Sequence, residues 1–254
     1  MRHIALFALC LCAATAASAQ KKAPAGPGPK SKQEMEAVNL MITAATPDAK
    51  IAAVDALVTK FTKTDFKSIA LYQAADAYEQ KSDHAKAVVY AEEALEADPQ
   101  NFAAEILIAN VLAGQTKDTD LDKAEKLARA EKMAKSGLEH IAGAQKSALF
   151  QIPDAAWAAS KNSAAAQAWS ALGTAATVEK KPEEAITDFE KGLALDPDPV
   201  LMLRVGRAQL AIKKYDEAIT WFDKAANAAD ASEQVKKIAV TDKARATAAK
   251  ASAK

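Results

Sequence analysis

Residues 169–197 read WSALGTAATVEKKPEEAITDFEKGLALDP, and this stretch decides the fold. Its first part continues a long alanine-rich run that starts near Asp154, which is placed to cap a helix holding Trp157 and Trp169. Pro182 then reopens a helix at a position where its missing N–H costs nothing, and Glu183 and Glu184 suit the positive helix start. Asp196-Pro197 closes that helix and Pro199 opens the next, through Ile212. The pattern recurs: Trp169 and Met202, Ala185 and Ala218, Ile186 and Ile219, and Phe189 and Phe222 are each 33 residues apart. Periods of about 34 residues are the mark of a helix–turn–helix unit stacked on copies of itself.

Outward from this stretch the chain keeps to the same grammar. Upstream, apolar residues at helical spacing predict helices over Glu34–Ala45, from Pro47 to Phe61, around Ile69–Tyr78, from Ala87 to Asp98-Pro99, over Phe102–Leu112 and over Leu121–Gly137. Downstream they predict Tyr215–Ala228 and a last helix from about Ser232. Breaks every 12 to 20 residues with short turns describe antiparallel helical hairpins. Composition agrees: 64 of 254 residues are alanine, whereas glycine and proline together supply 17.

The segment Trp169, Leu172, Gly173, Ala185, Phe189 and Pro197 resembles the tetratricopeptide repeat family, with Ala176 where that pattern has tyrosine. A following unit places Met202, Val205, Gly206, Ala208, Ala218, Phe222 and Ala225 in those roles. An earlier one, from Ser68, supplies Leu71, Ala75, Tyr78, Ala87, Ala94, Leu95 and Pro99, with Ala91 in place of phenylalanine. The unit from Phe102 is degraded by an insertion between Gly114 and Asp120. The resemblance implies an all-α, tetratricopeptide-like superhelical solenoid of antiparallel helical hairpins.

The expected organisation is a signal peptide over 1–19, a disordered Pro/Gly/Lys linker over 20–33 and an N-terminal hairpin over 34–65. Two repeat units over 68–140 follow, the second degenerate, then an irregular loop and the start of a long helix over 141–165. Repeats three and four occupy 166–230, and a capping helix with a basic tail covers 231–254. The leader reading rests on Arg2 and His3, an apolar run from Ile4 to Ala14, and Ala17-Ser18-Ala19 as a cleavage signal. It predicts an exported, periplasmic or secreted chain of bacterial type. Cys10 and Cys12 both lie in the leader, so the remainder would hold no disulfide or thiolate site.

Charge and motif content point away from catalysis. The 33 basic and 33 acidic residues balance, which argues against nucleic acid as partner. No run of 18 apolar residues offers a transmembrane segment. His84 and His140 are far apart and read as surface residues, with no H-x-x-x-H spacing and no G-x-S-x-G elbow. Catalytic residues, metal ligands and cofactors are therefore all expected to be absent. Trp157, Trp169 and Trp221 raise a carbohydrate-stacking reading, against which Trp169 holds a core signature position.

In tetratricopeptide repeats the first helix of each hairpin lines the concave face. That resemblance makes Tyr72, Asp76, Glu79, Ile106, Asn110, Gln167, Ser170, Thr174, Leu203, Arg207 and Leu210 the candidate contacts for a protein or peptide. Asp76 and Glu79 suit a basic segment, and Arg207 suits a carboxylate. The expected function is a non-catalytic adaptor in envelope assembly or secretion. The alternatives are a structural homo-oligomer associating through the long central helices and, behind it, a hydrolase using carboxylates that converge from different helices.

Overall fold

The structure, a computed structural model, describes residues 28–146 and 152–253. The leader over 1–19, most of the spacer and part of the loop after residue 146 lie outside the described residues. Among the described residues eleven helices follow in order: α1 Lys32–Thr43, α2 Pro47–Lys60, α3 Lys67–Gln80, α4 His84–Ala97, α5 Phe102–Gln115, α6 Lys123–Gly143, α7 Asp154–Val178, α8 Pro182–Leu195, α9 Pro199–Ala211, α10 Tyr215–Asn227 and α11 Glu233–Ser252. The fold is all-α, and neighbouring helices pair as antiparallel hairpins in the manner of a tetratricopeptide-like solenoid. Two compact units emerge, one of residues up to Ile108 with Ala142–Ser160, the other of Ala109–Ile141 with Lys161 onward.

In the first unit Val38, Met41, Ala53, Val54, Leu57, Phe66, Ala70 and Ala74 form a core drawn from α1, α2 and α3. Its helix starts are written in short polar side chains. Ser31 Oγ accepts from Glu34 N at 3.1 Å, and the Glu34 carboxylate accepts from Lys30 N at 2.6 Å. Helix α1 thus begins inside the stretch read as linker, and Lys30 ties that stretch to Asp65 at 2.7 Å. Thr46 and Asp83 cap α2 and α4. Lys50 Nζ donates to the terminal carbonyls of Met41 and Ile42, and burial pushes its pKa down.

In the second unit α9 bonds to α7 on one side and meets α11 on the other, while α8 and α10 each pack against α9. The close approach within each hairpin is set by a glycine under an aromatic ring. A Cβ built on Gly173 would stand 2.5 Å from Phe189, and one on Gly206 would stand 2.5 Å from Phe222. Both rings are buried, Phe222 completely. Each ring lies on the glycine of its own hairpin. Phe189 also reaches Leu201 and Val205 of α9, and Phe222 joins Leu203, Ala239 and Ala246. Pro182 and Pro199 begin α8 and α9 as the sequence predicts.

Two further boundaries differ from the sequence reading. Helix α6 continues to Gly143, which shortens the stretch read as irregular from 141. Asp154 is the first residue of α7, not its cap, and is ion-paired with Lys146. One repeating feature carried no sequence signal. Ser82, Lys180 and Lys213 adopt φ of 60°, 64° and 62° in the turns inside three hairpins. Each following N–H bonds back into the preceding helix, Lys181 N to Ala176 O and Lys214 N to Gln209 O.

Candidate binding surface

The candidate residues do not form one accessible set. In the first unit Tyr72 is buried, and burial together with the nearby Asp76 charge pushes its phenol up. Asp76 accepts from Gln80 Nε2 at 2.8 Å, and Glu79 is bonded to His84 Nδ1 at 2.7 Å. Ile106 is 2% exposed, because α5 buries every residue from Ala104 to Ala109, Glu105 included. Asn110, on the end of α5 that belongs to the second unit, is half-buried.

In the second unit Gln167 and Thr174 on α7 are half-buried, while Ser170 is buried. On α9 Leu203 is buried against α10 and α11, and Leu210 packs on the same cluster. Arg207 is exposed and its Nε donates to Asp242 on α11 at 2.7 Å. Tyr72, Ile106, Ser170 and Leu203 are therefore corrected from ligand contacts to interior positions. In the second unit the reasons are plain: side chains of α7 and α9 bond across their seam, which closes over Ser170, and α10 and α11 enclose Leu203.

The residue that sequence reading missed sits in that seam. Arg204 projects from α9 towards α7, where Nη1 donates to Ser170 Oγ at 2.6 Å and Thr174 Oγ1 at 2.9 Å. Thr174 in turn donates to Ser170 O at 2.7 Å. The guanidinium lies 5.9 Å from the Phe189 ring centroid. Burial depresses its pKa, the Asp198 charge opposes that shift, and Arg207 adds to it. The available signal was that Arg204 stands 33 residues after Ala171, a buried alanine at the same place in the preceding repeat.

Beyond Arg207, a shallow depression between α9 and α11 is lined by Arg207, Lys237, Ile238, Thr241 and Asp242. Trp169 carries Lys191 over its ring at 4.1 Å and Trp221 carries Lys224 at 3.9 Å, so both indoles already hold a cation of this chain. Among the described residues no group of His, Cys, Asp and Glu is arranged to hold a metal, and no helix is long and apolar enough to cross a membrane.

Known proteins share this architecture. The tetratricopeptide repeat pattern matches residues 166–199 and, in a second variant, residues 69–101. A thermophilic tetratricopeptide protein of Thermus thermophilus superposes with a TM-score of 0.57 at 14% identity, over 82% of this chain and 98% of that one. MamA of Desulfovibrio magneticus, from residue 41 to its end, does so with 0.54 at 16% identity, over 77% and 94%. A double mutant of MamA RS-1 gives 0.53 at 18%, over 77% and 93%. No curated protein matches the chain by sequence. The fold is the tetratricopeptide-repeat fold, which supports a non-catalytic protein-binding scaffold.

Proposed function

We propose that the chain is a scaffold that binds an extended segment of another protein outside the cytoplasm, in envelope assembly or secretion. The observation that carries binding is the row of α7, α9 and α11. Arg204 bonds α9 to α7, and Arg207 bonds α9 to α11, so these three helices are neighbours in a row. Their shared face offers Gln167, Thr174, Arg207, Lys237 and Thr241, polar side chains that are at least partly accessible. Such a face suits backbone and side-chain recognition of an extended chain more than closure around a small molecule. Placement outside the cytoplasm rests on the leader pattern from Arg2 to Ala19.

Brief crosslinking in the native envelope extract, followed by affinity capture and peptide mapping, tests the reading. A reproducible partner linked through Ser68–Gly114 or Ala166–Ile212 supports it. Self-links around Leu121–Lys180 with no enriched partner overturn it in favour of a homo-oligomer. The mass of the exported chain tests the leader: an N-terminus at Gln20 is expected, and an intact Met1 in the envelope fraction removes that part.

A further inference from the structure

Helix α11 follows α10 as α9 follows α8, but it is held in a different way. At the 33-residue spacing Leu201, Leu203, Ala208 and Leu210 of α9 correspond to Gln234, Lys236, Thr241 and Lys243 of α11. In α9 the first three of those are buried, as is Val205. Over its 20 residues α11 buries Ala239 and Ala246, whose methyl groups remove little apolar area from water. Val235 and Ile238, in its first two turns, are partly buried beside them.

Charge supplies the rest of the hold. Asp242 accepts from Arg207 Nε of α9 at 2.7 Å, Lys243 Nζ donates to Asp223 of α10 at 2.7 Å, and Lys250 pairs with Asp216 at the start of α10. Helix α11 carries five basic against two acidic residues, and α10 carries Asp216, Glu217 and Asp223 against Lys224, so the two helices attract each other. Solvent reaches all three pairs. Such pairs are individually weak and are screened by salt. The half of α11 from Lys243 onward combines Ala246 with two of the three pairs and so depends on them most.

We propose that α11 is a charge-held cap that opens on its own, ahead of the rest of its unit, and that ionic strength sets how often it does. Closed, it completes the cluster of Leu203 and Phe222 and holds Arg207 on Asp242. Open, it releases Arg207, Asp216 and Asp223 to solvent and uncovers the apolar edge that Leu203 and Leu210 share with α10. The contact of Phe222 with Gly206 lies within the α9/α10 hairpin and stays in place. The cap therefore gates the α9/α10 face without unfolding the hairpin that carries it.

The test is hydrogen exchange of the purified chain, read by mass spectrometry on peptides of α9 and α11, in about 0.05 M and about 0.5 M sodium chloride. At low salt, amides from Lys243 to Ser252 are expected to exchange about tenfold faster than those of α9. The higher salt is expected to quicken α11 a further threefold, roughly, and to leave α9 unchanged. Lys243→Glu should open α11 already at low salt, and Asp223→Lys placed with it should restore protection by reversing the pair. Ordinary fraying of a chain end would leave exchange in α11 indifferent to salt and to both charge reversals, and that result overturns the proposal. Exchange in α11 as slow as in α9 at both salt concentrations, or equal acceleration of the two helices by salt, overturns it as well. The wild-type salt series decides even if a variant fails to fold. None of these outcomes touches the scaffold reading, which the captured partner decides separately.

Discussion

Replacing Gly206 by alanine should destabilise the chain although alanine is the better helix former. The new Cβ would stand 2.5, 2.8 and 3.0 Å from Cε1, Cδ1 and Cζ of Phe222. Carbon atoms rest comfortably about 3.5–4.0 Å apart, so the ring must retreat by about 1 Å. It has nowhere to go, because Phe222 is fully buried among Leu203, Ala218, Ala225, Ala239 and Ala246. Overpacking of this kind costs about 1–3 kcal/mol. The helix-propensity gain of a Gly-to-Ala change returns at most about 1 kcal/mol. A net loss of about 1 kcal/mol is expected.

Gly114 supplies the control. It lies in the last turn of α5 and a Cβ there meets nothing within 4 Å, so Gly114→Ala should be neutral or stabilising. The two variants should therefore differ by about 2 kcal/mol, almost all of it the contact with Phe222. Urea unfolding followed by far-UV circular dichroism reads this as opposite shifts in midpoint. Phe222→Leu introduced with Gly206→Ala should recover part of the loss, a coupling of about 1 kcal/mol in a double-mutant cycle. A Gly206→Ala chain as stable as Gly114→Ala would refute the ring-on-glycine account.

Other outcomes follow from the same geometry. Lys213→Gly should stabilise by about 0.5 kcal/mol, the left-handed strain relieved less the added freedom of the unfolded chain, as a midpoint shift will show. Ser232→Ala removes the hydroxyl that accepts from Val235 N at 3.2 Å and should cost about 1 kcal/mol, with hydrogen exchange rising first at the start of α11. Hydrogen bonds from Lys123 and Lys180 hold the Asp118 carboxylate down to about 2, from an ordinary 3.8. Its folded pKa is depressed, so its stabilising contribution is present above about pH 4 and disappears as pH falls towards 2. Carboxyl-carbon NMR of Asp118 should titrate near 2 in the native chain and closer to the ordinary value in Lys123→Met.

The fold was legible because its determinants are local and repeated. Pro182, Pro199 and Asp196-Pro197 announce helix ends through lost N–H groups and blocked backbone angles, and the 33-residue spacing of Ala185/Ala218 and Phe189/Phe222 announces the stack. What the spacing could not supply was the partner of each signature residue. That Phe189 lies on Gly173 is a three-dimensional contact between residues 16 apart, and either side of the ring was compatible with the pattern. Lysine at Lys180 and Lys213 hid the left-handed turns, since glycine or asparagine would have marked them. The candidate surface suffered more. A first-helix position is not a surface position when a neighbouring helix closes on it, as α9 does over Ser170 and α10 and α11 do over Leu203. Arg204 was passed over for the converse reason: it stands where the preceding repeat has the buried Ala171, and only the structure shows its charge held by two hydroxyls.

The scaffold account stands most directly on which layer of helices meets the partner. Photo-reactive side chains placed singly at Gln167 and Lys237 sample the α7/α9/α11 row, and the same group at Thr187 and Thr220 samples the exposed side of α8 and α10. The account predicts one partner protein crosslinked from Gln167 and Lys237 and absent from Thr187 and Thr220. Crosslinks of equal yield from all four positions, or from Thr187 and Thr220 alone, would contradict it.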